Sequence, residues 1–547
     1  MRIHLSIVIS VLFSLFSITP SPTIAQDDLS AIAPCGVVDE MIYPIENLVR
    51  TTLERGYDDF GLFRNNWGGN HLGLDVGFRQ QGEPVLAAAR GLVTLANITE
   101  WDTEKGVIIL EHVFPDDNIY YTVYGHIEFY GTQTFPDVGS CIEMGEILAA
   151  VGNPSQSAPH LHYEIRSILP NEGGEGYTDG NPLDEGWYHP LDFTHLWQAR
   201  FSSYYVTHTS FQQVPEHPPI TQDNGTVVIA YNDNLIGITP QTSTNWAITT
   251  DGDIINLSNL SGNRIIATTT SGQTVLLTDG RYSAVWMAQD VADEMAIMGE
   301  QIIIVSEDAG NITAYDLNGQ MQWGETDVIN NTARFVSLEA SNTQLAYVLN
   351  TRDGYVLRLL DANGLLLYEA TFRAEPIVTS TTNGAWIIVG NGQLWQVVNE
   401  TSRVIADIDI NMGRTATLTS DRVGNIYLYS GNADDSILSW NEQGALRWEV
   451  EYPEINETLF APILQTDNGC LLYSLDVDGR LNQFNATTGE LVNQIALYAG
   501  GNRTRRPSAR SLAIIGDYLH VHAGFLTTLT FDNRSLGADV LESCVLG

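Results

Sequence analysis

The chain has 547 residues, of which 44% are apolar and 17% are charged, so it has ample apolar surface for two or three globular domains. Its formal net charge is −41, and Lys105 is its single lysine. Such a charge repels nucleic acid and anionic lipid surfaces, which argues against both as partners.

The first 25 residues have the features of a secretory signal peptide. Arg2 and His4 precede an apolar run over residues 5–16, and Thr23-Ile-Ala25 supplies the small residues of a cleavage site. The run is shorter than the roughly 20 apolar residues that a spanning helix needs, and no other stretch of the sequence is long enough. We therefore expect an exported protein, extracellular or in the cell envelope, with no integral membrane segment after cleavage.

Residues 26–66 form an N-terminal leader. The cysteines fit two disulfides in an exported chain, and they are Cys35, Cys141, Cys470 and Cys544. The simplest connectivity joins Cys35 to Cys141 and Cys470 to Cys544, although the sequence allows three pairings. The first bond would hold the leader against the domain that follows it.

A catalytic domain is predicted over residues 67–206, where short alternating stretches punctuated by glycine indicate antiparallel β structure. On a strand, residues four apart share a face, and so do residues two apart. The pairs His71/Asp75 and His160/His162 can therefore point into one cleft. Two histidines and one aspartate are suitable ligands for a zinc ion that keeps its fourth tetrahedral position open to water.

The segment from about Asn70 to Arg166 resembles the M23, or LytM/lysostaphin-type, peptidases, which hydrolyse peptide cross-links in bacterial cell walls. The matching strings are His71-Leu-Gly-Leu-Asp75, Gly82-Glu-Pro-Val85, Gly91-Leu-Val93, Val107-Ile-Ile-Leu-Glu-His112, Tyr124-Gly-His126, Gly145-Glu-Ile-Leu148 and Pro159-His-Leu-His-Tyr-Glu-Ile165. Two positions depart from the family pattern. Ile127 stands where leucine is common, and Ser155 stands where glycine is usual; neither change removes a chemical group.

The resemblance implies one Zn²⁺ per chain, held by His71, Asp75 and His162, with His126 and His160 as the catalytic pair. Zinc lowers the pKa of a bound water from about 15.7 towards 7 and polarises the scissile carbonyl. The two further imidazoles would orient that water, carry a proton to the leaving amine and stabilise the oxyanion.

Other histidines and glutamates receive no catalytic role. The histidines predicted to be structural are His112, His189, His520 and His522. Glu128 and Glu164 are not part of an H-E-x-x-H helix, so a glutamate general base of that kind is not expected.

Two loops follow the last zinc-site motif. The glycine-rich acidic loop from Asn171 to Asn181 is predicted to be a surface lip beside the cleft, or else an elaborated connection. Residues 207–223 contain Val214-Pro-Glu-His-Pro-Pro219 and are predicted to form a stiff linker.

Residues 224–547 contain a repeat with a spacing of roughly 36 to 45 residues. Turn-like strings recur near Pro240, Asp279-Gly280, Asn318-Gly319, Asn363-Gly364, Asn399-Glu400, Gln443-Gly444, Thr488-Gly489 and Asp532-Asn533. A four-stranded unit of about 40 residues cannot bury its own faces, so such units pack radially into a β-propeller. Eight turns predict eight blades, or seven if one turn is misassigned.

The repeat resembles the quinoprotein, or PQQ-type, propeller repeat, in which an aromatic residue four positions after a hairpin glycine wedges between blades. The quinone cofactor does not carry over, because the adjacent-cysteine pair typical of those enzymes is absent. The tryptophans expected to pack between blades are Trp246, Trp286, Trp323 and Trp448.

The sequence thus predicts an all-β protein, in which an antiparallel M23-type domain is followed by a seven- or eight-bladed propeller. The leading interpretation is an exported zinc metalloendopeptidase acting on peptidoglycan, with the propeller as a binding or positioning module of unknown ligand. One alternative is a non-catalytic wall-binding or hydrolase-activating protein. Another places the main activity in the propeller, as an oxidoreductase or a glycan-binding scaffold.

Overall fold

The computed structural model describes residues 33–533, apart from gaps at 47, 49–51, 57–58, 102–104, 169–173, 175, 212–214, 216, 240–242, 399, 409–414, 432–435, 453–461, 467–469, 477–479, 497–509 and 523–526. The predicted signal peptide over residues 1–25 lies outside the described residues. Within these limits, none of the helices is both long enough and apolar enough to cross a bilayer.

The first domain is built on antiparallel sheets. Its strands are β1 (Phe63–Arg64), β2 (Gly69–His71), β3 (Leu74–Val76), β4 (Pro84–Leu86), β5 (Gly91–Trp101), β6 (Lys105–Val113), β7 (Ile119–Glu128), β8 (Cys141–Ile142), β9 (Ile147–Val151), β10 (Leu161–Arg166), β11 (Tyr177–Thr178) and β12 (Trp187–Tyr188). The central sheet runs β12-β10-β7-β6-β5-β8, with β3 paired to β10 and β9 paired to β7 and β4. A small sheet, β1-β2-β11, forms beside it. This confirms the predicted antiparallel architecture.

The leader packs onto this domain. Cys35 is bonded to Cys141, which confirms the first predicted disulfide. Val38, Met41 and Ile45 are buried in the same apolar core as the central sheet. The second predicted disulfide includes Cys544, which lies outside the described residues. The leader is therefore a structural part of the first domain.

An α-helix, α1 (Pro190–Phe201), connects the two halves of the described chain, and a short 3₁₀ turn over Pro182–Glu185 precedes it. Proline at the first position of α1 suits a helix start, since the missing N–H would have no partner there. The buried Leu191, Phe193 and Trp197 belong to one apolar cluster that also contains Leu529 and Phe531 from the last propeller strand. The helix thus contributes to both the first-domain core and the propeller core.

Eight four-stranded antiparallel sheets make up the rest of the described chain. Their strands are β13 (Tyr205–Ser210), β14 (Ile220–Thr221), β15 (Val227–Tyr231), β16 (Asn234–Thr239), β17 (Ser243–Thr249), β18 (Ile254–Leu260), β19 (Arg264–Thr269), β20 (Gln273–Thr278), β21 (Arg281–Met287), β22 (Glu294–Met298), β23 (Gln301–Ser306), β24 (Asn311–Asp316), β25 (Met321–Glu325), β26 (Ala333–Ala340), β27 (Gln344–Thr351), β28 (Gly354–Asp361), β29 (Leu366–Phe372), β30 (Ile377–Ser380), β31 (Trp386–Gly390), β32 (Gln393–Val398), β33 (Thr401–Asp407), β34 (Thr417–Ser420), β35 (Ile426–Tyr429), β36 (Ser436–Trp440), β37 (Leu446–Glu451), β38 (Ile463–Thr466), β39 (Leu471–Leu475), β40 (Arg480–Asn485), β41 (Leu491–Ala496), β42 (Ser511–Ile515), β43 (Tyr518–His522) and β44 (Thr527–Asp532). The ring is an eight-bladed propeller.

The eighth blade is completed by a strand from the beginning of the propeller. Seven sheets use four consecutive strands, whereas the eighth has the order β13-β44-β43-β42. The position beside β44 that the repeat gives to a fourth strand is thus occupied by β13, and the residues after the turn predicted near Asp532-Asn533 lie outside the described part. Strand β13 begins at Tyr205 and overlaps the segment predicted as a linker over residues 207–223. Pairing of this kind is non-local, so the repeat pattern carries no sign of it.

The predicted blade-packing tryptophans lie against hairpin glycines of the following blade. A Cβ atom on Gly364 would lie 2.7 Å from Trp323 Cδ2, and one on Gly489 would lie 2.7 Å from Trp448 Cε3. The indole N–H of Trp323 also donates to the carbonyl of Ala362, at 3.0 Å. These contacts leave no room for a side chain at either glycine.

This packing generates a prediction about Gly364. Gly364→Ala should lower the midpoint of propeller unfolding more than Gly384→Ala, measured by scanning calorimetry. Both glycines have φ of +78°, but the space around Gly384 is open. In both variants, an alanine in the left-handed region lowers the free energy of unfolding by about 1–2 kcal/mol. Only Gly364→Ala also overpacks its surroundings, which lowers it by about 1–3 kcal/mol more. Equal shifts in the two variants would show that Trp323 does not restrict this position.

Candidate metal centre

Three short strands bring the predicted ligands together. His71 ends β2 and Asp75 lies in the middle of β3. His162 lies in β10, directly opposite Asp75 in the antiparallel pair of β3 and β10. Gly73, between the first two ligands, has no space for a Cβ, which would lie 2.8 Å from His162 Nε2. The chain between His71 and Asp75 can therefore pack directly against β10.

The three ligand atoms form a small triangle. His71 Nε2 lies 2.9 Å from His162 Nδ1, and these two nitrogens lie 3.4 Å and 3.3 Å from Asp75 Oδ1. Ligands at about 2.0–2.1 Å from a tetrahedral zinc are separated by about 3.3–3.4 Å. Asp75 Oδ1 is buried and has no hydrogen-bond donor among the described residues. The residues present therefore fit a tetrahedral cation.

The other nitrogen of each ligating imidazole is held by an oxygen atom. His71 Nδ1 faces the carbonyl of Asp59 at 3.2 Å and its carboxylate at 3.5 Å. His162 Nε2 lies 2.8 Å from Glu164 Oε1. These contacts place the proton on the outward nitrogen, so the lone pair of the inward nitrogen can coordinate a metal.

A partly buried arginine contacts the predicted aspartate ligand. Arg64 Nη2 donates to Asp75 Oδ2 at 2.8 Å and to both carboxylate oxygens of Asp59, at 2.6 and 2.8 Å. Its Nη1 donates to the hydroxyl of Tyr177 at 3.3 Å. One oxygen of Asp75 is thus engaged by Arg64, while the other faces the two ligating imidazoles.

His160 lies at the entrance to β10, on the open side of the triangle. Its Nδ1 donates to the carbonyl of Ala158 at 2.8 Å. Its Nε2 lies 3.4 Å from Asp75 Oδ1, and its ring is 4.8 Å from that of His126. The two histidines predicted as the catalytic pair therefore stand side by side next to the three ligands.

His126 reaches this position through a β-bulge. In the pair of β6 and β7, Val107 is opposite Gly125 and Gly106 is opposite Ile127, so His126 is the extra residue. Its φ is +57°, which is unusual for a residue with a side chain. Bulges re-aim side chains next to active sites, and this one turns His126 towards His160.

Burial and electrostatic pairing together set the pKa values of the site. Burial opposes a charge on His71, but Asp75 and Asp59 raise its pKa to about 9. Burial also opposes the charge on Asp75, but the neighbouring imidazoles lower its pKa. The pKa of His126 falls to about 3, through burial and then through the charges of nearby histidines. Without a cation, these shifts favour the protonated form of His71 and the neutral form of His126.

The site opens into a cleft with a volume of about 240 Å³. One wall contains Trp67 and Tyr177, whose rings stack in parallel with centroids 5.7 Å apart. Tyr177 lies in the loop predicted to be a lip, although residues 171–173 and 175 of that loop are outside the described part. Glu54 and Arg55 from the leader also line the cleft.

The histidines predicted to be structural lie away from the triangle. His112 is buried between the carbonyl of Arg90 and the hydroxyl of Thr122, each at 2.7 Å, and burial lowers its pKa to about 4. His189 caps the N-terminus of α1. His520 and His522 lie in β43, within the propeller.

Sequence reasoning missed three residues that support the ligands. Asp59 and Arg64 lie in the predicted leader, before the first motif, and no recognisable string marks them. Glu164 shares a strand face with His160 and His162 in the sequence pattern, but its contact is not predicted; it accepts from His162 and from Trp187 Nε1, at 2.8 and 3.0 Å. The alternation of His162 and Glu164 along β10 was the signal that could have revealed this contact.

Comparisons with known proteins identify the first domain. Residues 69–183 match the model of Peptidase family M23. A search of curated proteins gave no significant match. Among solved structures, BamB from Moraxella catarrhalis is 17% identical, with 60% of this chain and 99% of that chain covered and a TM-score of 0.43. Sqt1 from Saccharomyces cerevisiae is 13% identical, with 60% and 99% covered and a TM-score of 0.41.

The family match covers all five histidine and aspartate residues of the predicted site, and the eight four-stranded sheets define the second half independently. Residues 69–183 therefore form a domain of peptidase family M23, which is followed in this chain by an eight-bladed β-propeller.

Proposed function

We propose that the protein is an exported zinc metalloendopeptidase that hydrolyses peptide cross-links of bacterial peptidoglycan, with the propeller as a binding or positioning module. The observation that carries the proposal is the triangle of His71, Asp75 and His162 with its open side towards two further histidines. A metal held only for structure is normally enclosed by four protein ligands. Within the described part of the chain, three side chains alone converge on this point, and the cleft supplies access.

The chemistry follows from the residues around the open side. When bound, Zn²⁺ would lower the pKa of a water and polarise the scissile carbonyl. Burial lowers the pKa of His126, which favours a neutral ring at physiological pH, so the ring can hydrogen-bond to a nucleophilic water and orient it. His160, held by the carbonyl of Ala158, keeps its Nε2 directed at the same space and can donate to a developing oxyanion or to the leaving amine.

Several features support the cell-wall substrate and the export. The resemblance of the motif strings to cell-wall peptidases points to peptide cross-links. The predicted signal peptide and the disulfide between Cys35 and Cys141 suit an oxidising compartment outside the cytoplasm. The propeller shares an apolar core with the peptidase domain through α1, so a ligand bound by the propeller would be held at a fixed distance from the cleft.

The main alternative is a non-catalytic wall-binding or hydrolase-activating protein. Domains of that kind lose ligands or catalytic groups, whereas all five site residues are present here and converge. The alternative predicts binding to peptidoglycan without release of peptides, even when the protein is loaded with zinc.

Metal binding should depend on pH through His71. Because the raised pKa of about 9 keeps His71 protonated at neutral pH in the metal-free protein, Zn²⁺ must displace that proton. The apparent affinity should therefore rise about tenfold for each pH unit between about pH 6 and 8. Competition with a chromogenic chelator at several pH values measures this slope. A zinc affinity that stays constant over this pH range would contradict the assignment of His71 as a ligand.

His160→Ala should separate metal binding from catalysis. We expect one zinc per chain, as in the parent, but a kcat about 10² to 10⁴ times lower, because a proton-transfer group is lost. Products released from defined muropeptides of several wall chemistries, analysed by mass spectrometry, give the rates and the bond cleaved.

His217→Ala is the matched control, since His217 lies in the propeller and contacts the carbonyl of Ile254. It should cleave at the parental rate. If His160→Ala is as fast as this control, His160 has no catalytic role; if the zinc-loaded parent releases no peptide from any wall chemistry, the binding alternative is favoured.

A further inference from the structure

The leader contributes a charged group to the metal centre that the family match does not include. Arg64 and Asp59 precede residue 69, where the match begins. The Asp59 side chain is buried and that of Arg64 is partly buried, with 1% and 10% of their surfaces exposed. Burial of a charged pair is costly unless every charge is compensated. The function of this pair therefore needs a physical explanation.

The two carboxylate oxygens of Asp75 have different neighbours: one contacts Arg64, and the other faces the imidazoles. Oδ2 accepts a charge-assisted hydrogen bond from Arg64 Nη2 at 2.8 Å. Oδ1 lies 3.3 to 3.4 Å from the nitrogens of His71, His160 and His162. A carboxylate whose second oxygen is bound to a guanidinium has only one oxygen left for a cation.

Arg64 is itself held by two further residues, Asp59 and Tyr177. The same Nη2 contacts both oxygens of Asp59, and Nη1 donates to Tyr177 in the cleft wall. The guanidinium carbon also lies 5.9 Å from the centre of the Tyr177 ring. A planar guanidinium fixed in this way cannot easily follow a carboxylate that rotates towards a metal.

We infer that Arg64 is a positioning residue that keeps Asp75 a one-oxygen ligand and thereby keeps the fourth coordination position open for chemistry. Without Arg64, both oxygens of Asp75 would bind the cation and the site would gain a further ligand atom. The inference rests on the metal binding in the proposed function, and it adds a specific task for the leader.

The test uses Co²⁺ in place of zinc, since the visible spectrum of Co²⁺ reports its coordination number without any turnover. In the full-length parent, one Co²⁺ per chain should give the intense absorption of a four-coordinate site. Arg64→Met should still bind one Co²⁺, but its absorption should be weaker and shifted to shorter wavelength, as five-coordinate sites are. Arg64→Lys should keep the parental spectrum, because the lysine ammonium can still donate a hydrogen bond to Asp75 Oδ2.

Arg55→Gln is the matched control. Arg55 lines the same cleft and is half exposed, and its single ion pair among the described residues is a long one to Glu54, at 3.9 Å. This variant loses the same charge but should keep the parental spectrum. An unchanged spectrum in Co²⁺-loaded Arg64→Met, or the same change in Arg55→Gln, would overturn the inference.

A second measurement does not depend on the folding of any variant. A crystal structure of the zinc-loaded parent should place one oxygen of Asp75 within about 2.2 Å of the metal and the other on Arg64. Both oxygens on the metal would refute the role of Arg64. A parent that binds neither Co²⁺ nor Zn²⁺ would instead refute the proposed function, so the two failures are distinguishable.

Discussion

The candidate metal centre depends on the cross-strand pairing of β10 with β3. This pairing sets His162 opposite Asp75, and the bend at Gly73 places His71 beside both. On its other edge, β10 pairs with β7, which carries His126 in its bulge. All six residues of β10 are buried, so its register is strongly fixed. A slip of one residue would exchange His162 for the core residue Tyr163.

Two arginine–carboxylate pairs contact the predicted histidine ligands from the side away from the cation position. Arg166 contacts Glu164, which holds His162, and Arg64 contacts Asp59, which holds His71. The pairs differ in one respect, because Arg64 also touches a ligand directly. The strongly acidic chain thus places two of its few cations beneath the site, where they offset the charge of the buried carboxylates.

The sequence predicted those features that arise from local patterns. The spacing of His71 and Asp75, the alternation around His162 and the turn glycines all reflect the geometry of single strands and hairpins, and the structure agrees with them. The sequence could not predict contacts between distant segments. Arg64 reaches Asp75 through a fold of the leader, His126 depends on a bulge set by the neighbouring strand, and β13 pairs with β44 across the whole propeller.

The closure of the ring by β13 has a consequence for folding. Strands β13 and β44 are separated by roughly 300 residues of sequence, and joining the ends of so long a segment costs a loop-closure entropy of several kcal/mol. Until then, β13 has an unpaired edge that could template intermolecular association. Its neighbour α1 packs in one apolar cluster with both the first domain and the last blade. The pairing of β13 with β44 thus closes the ring next to the contact between the two halves of the chain.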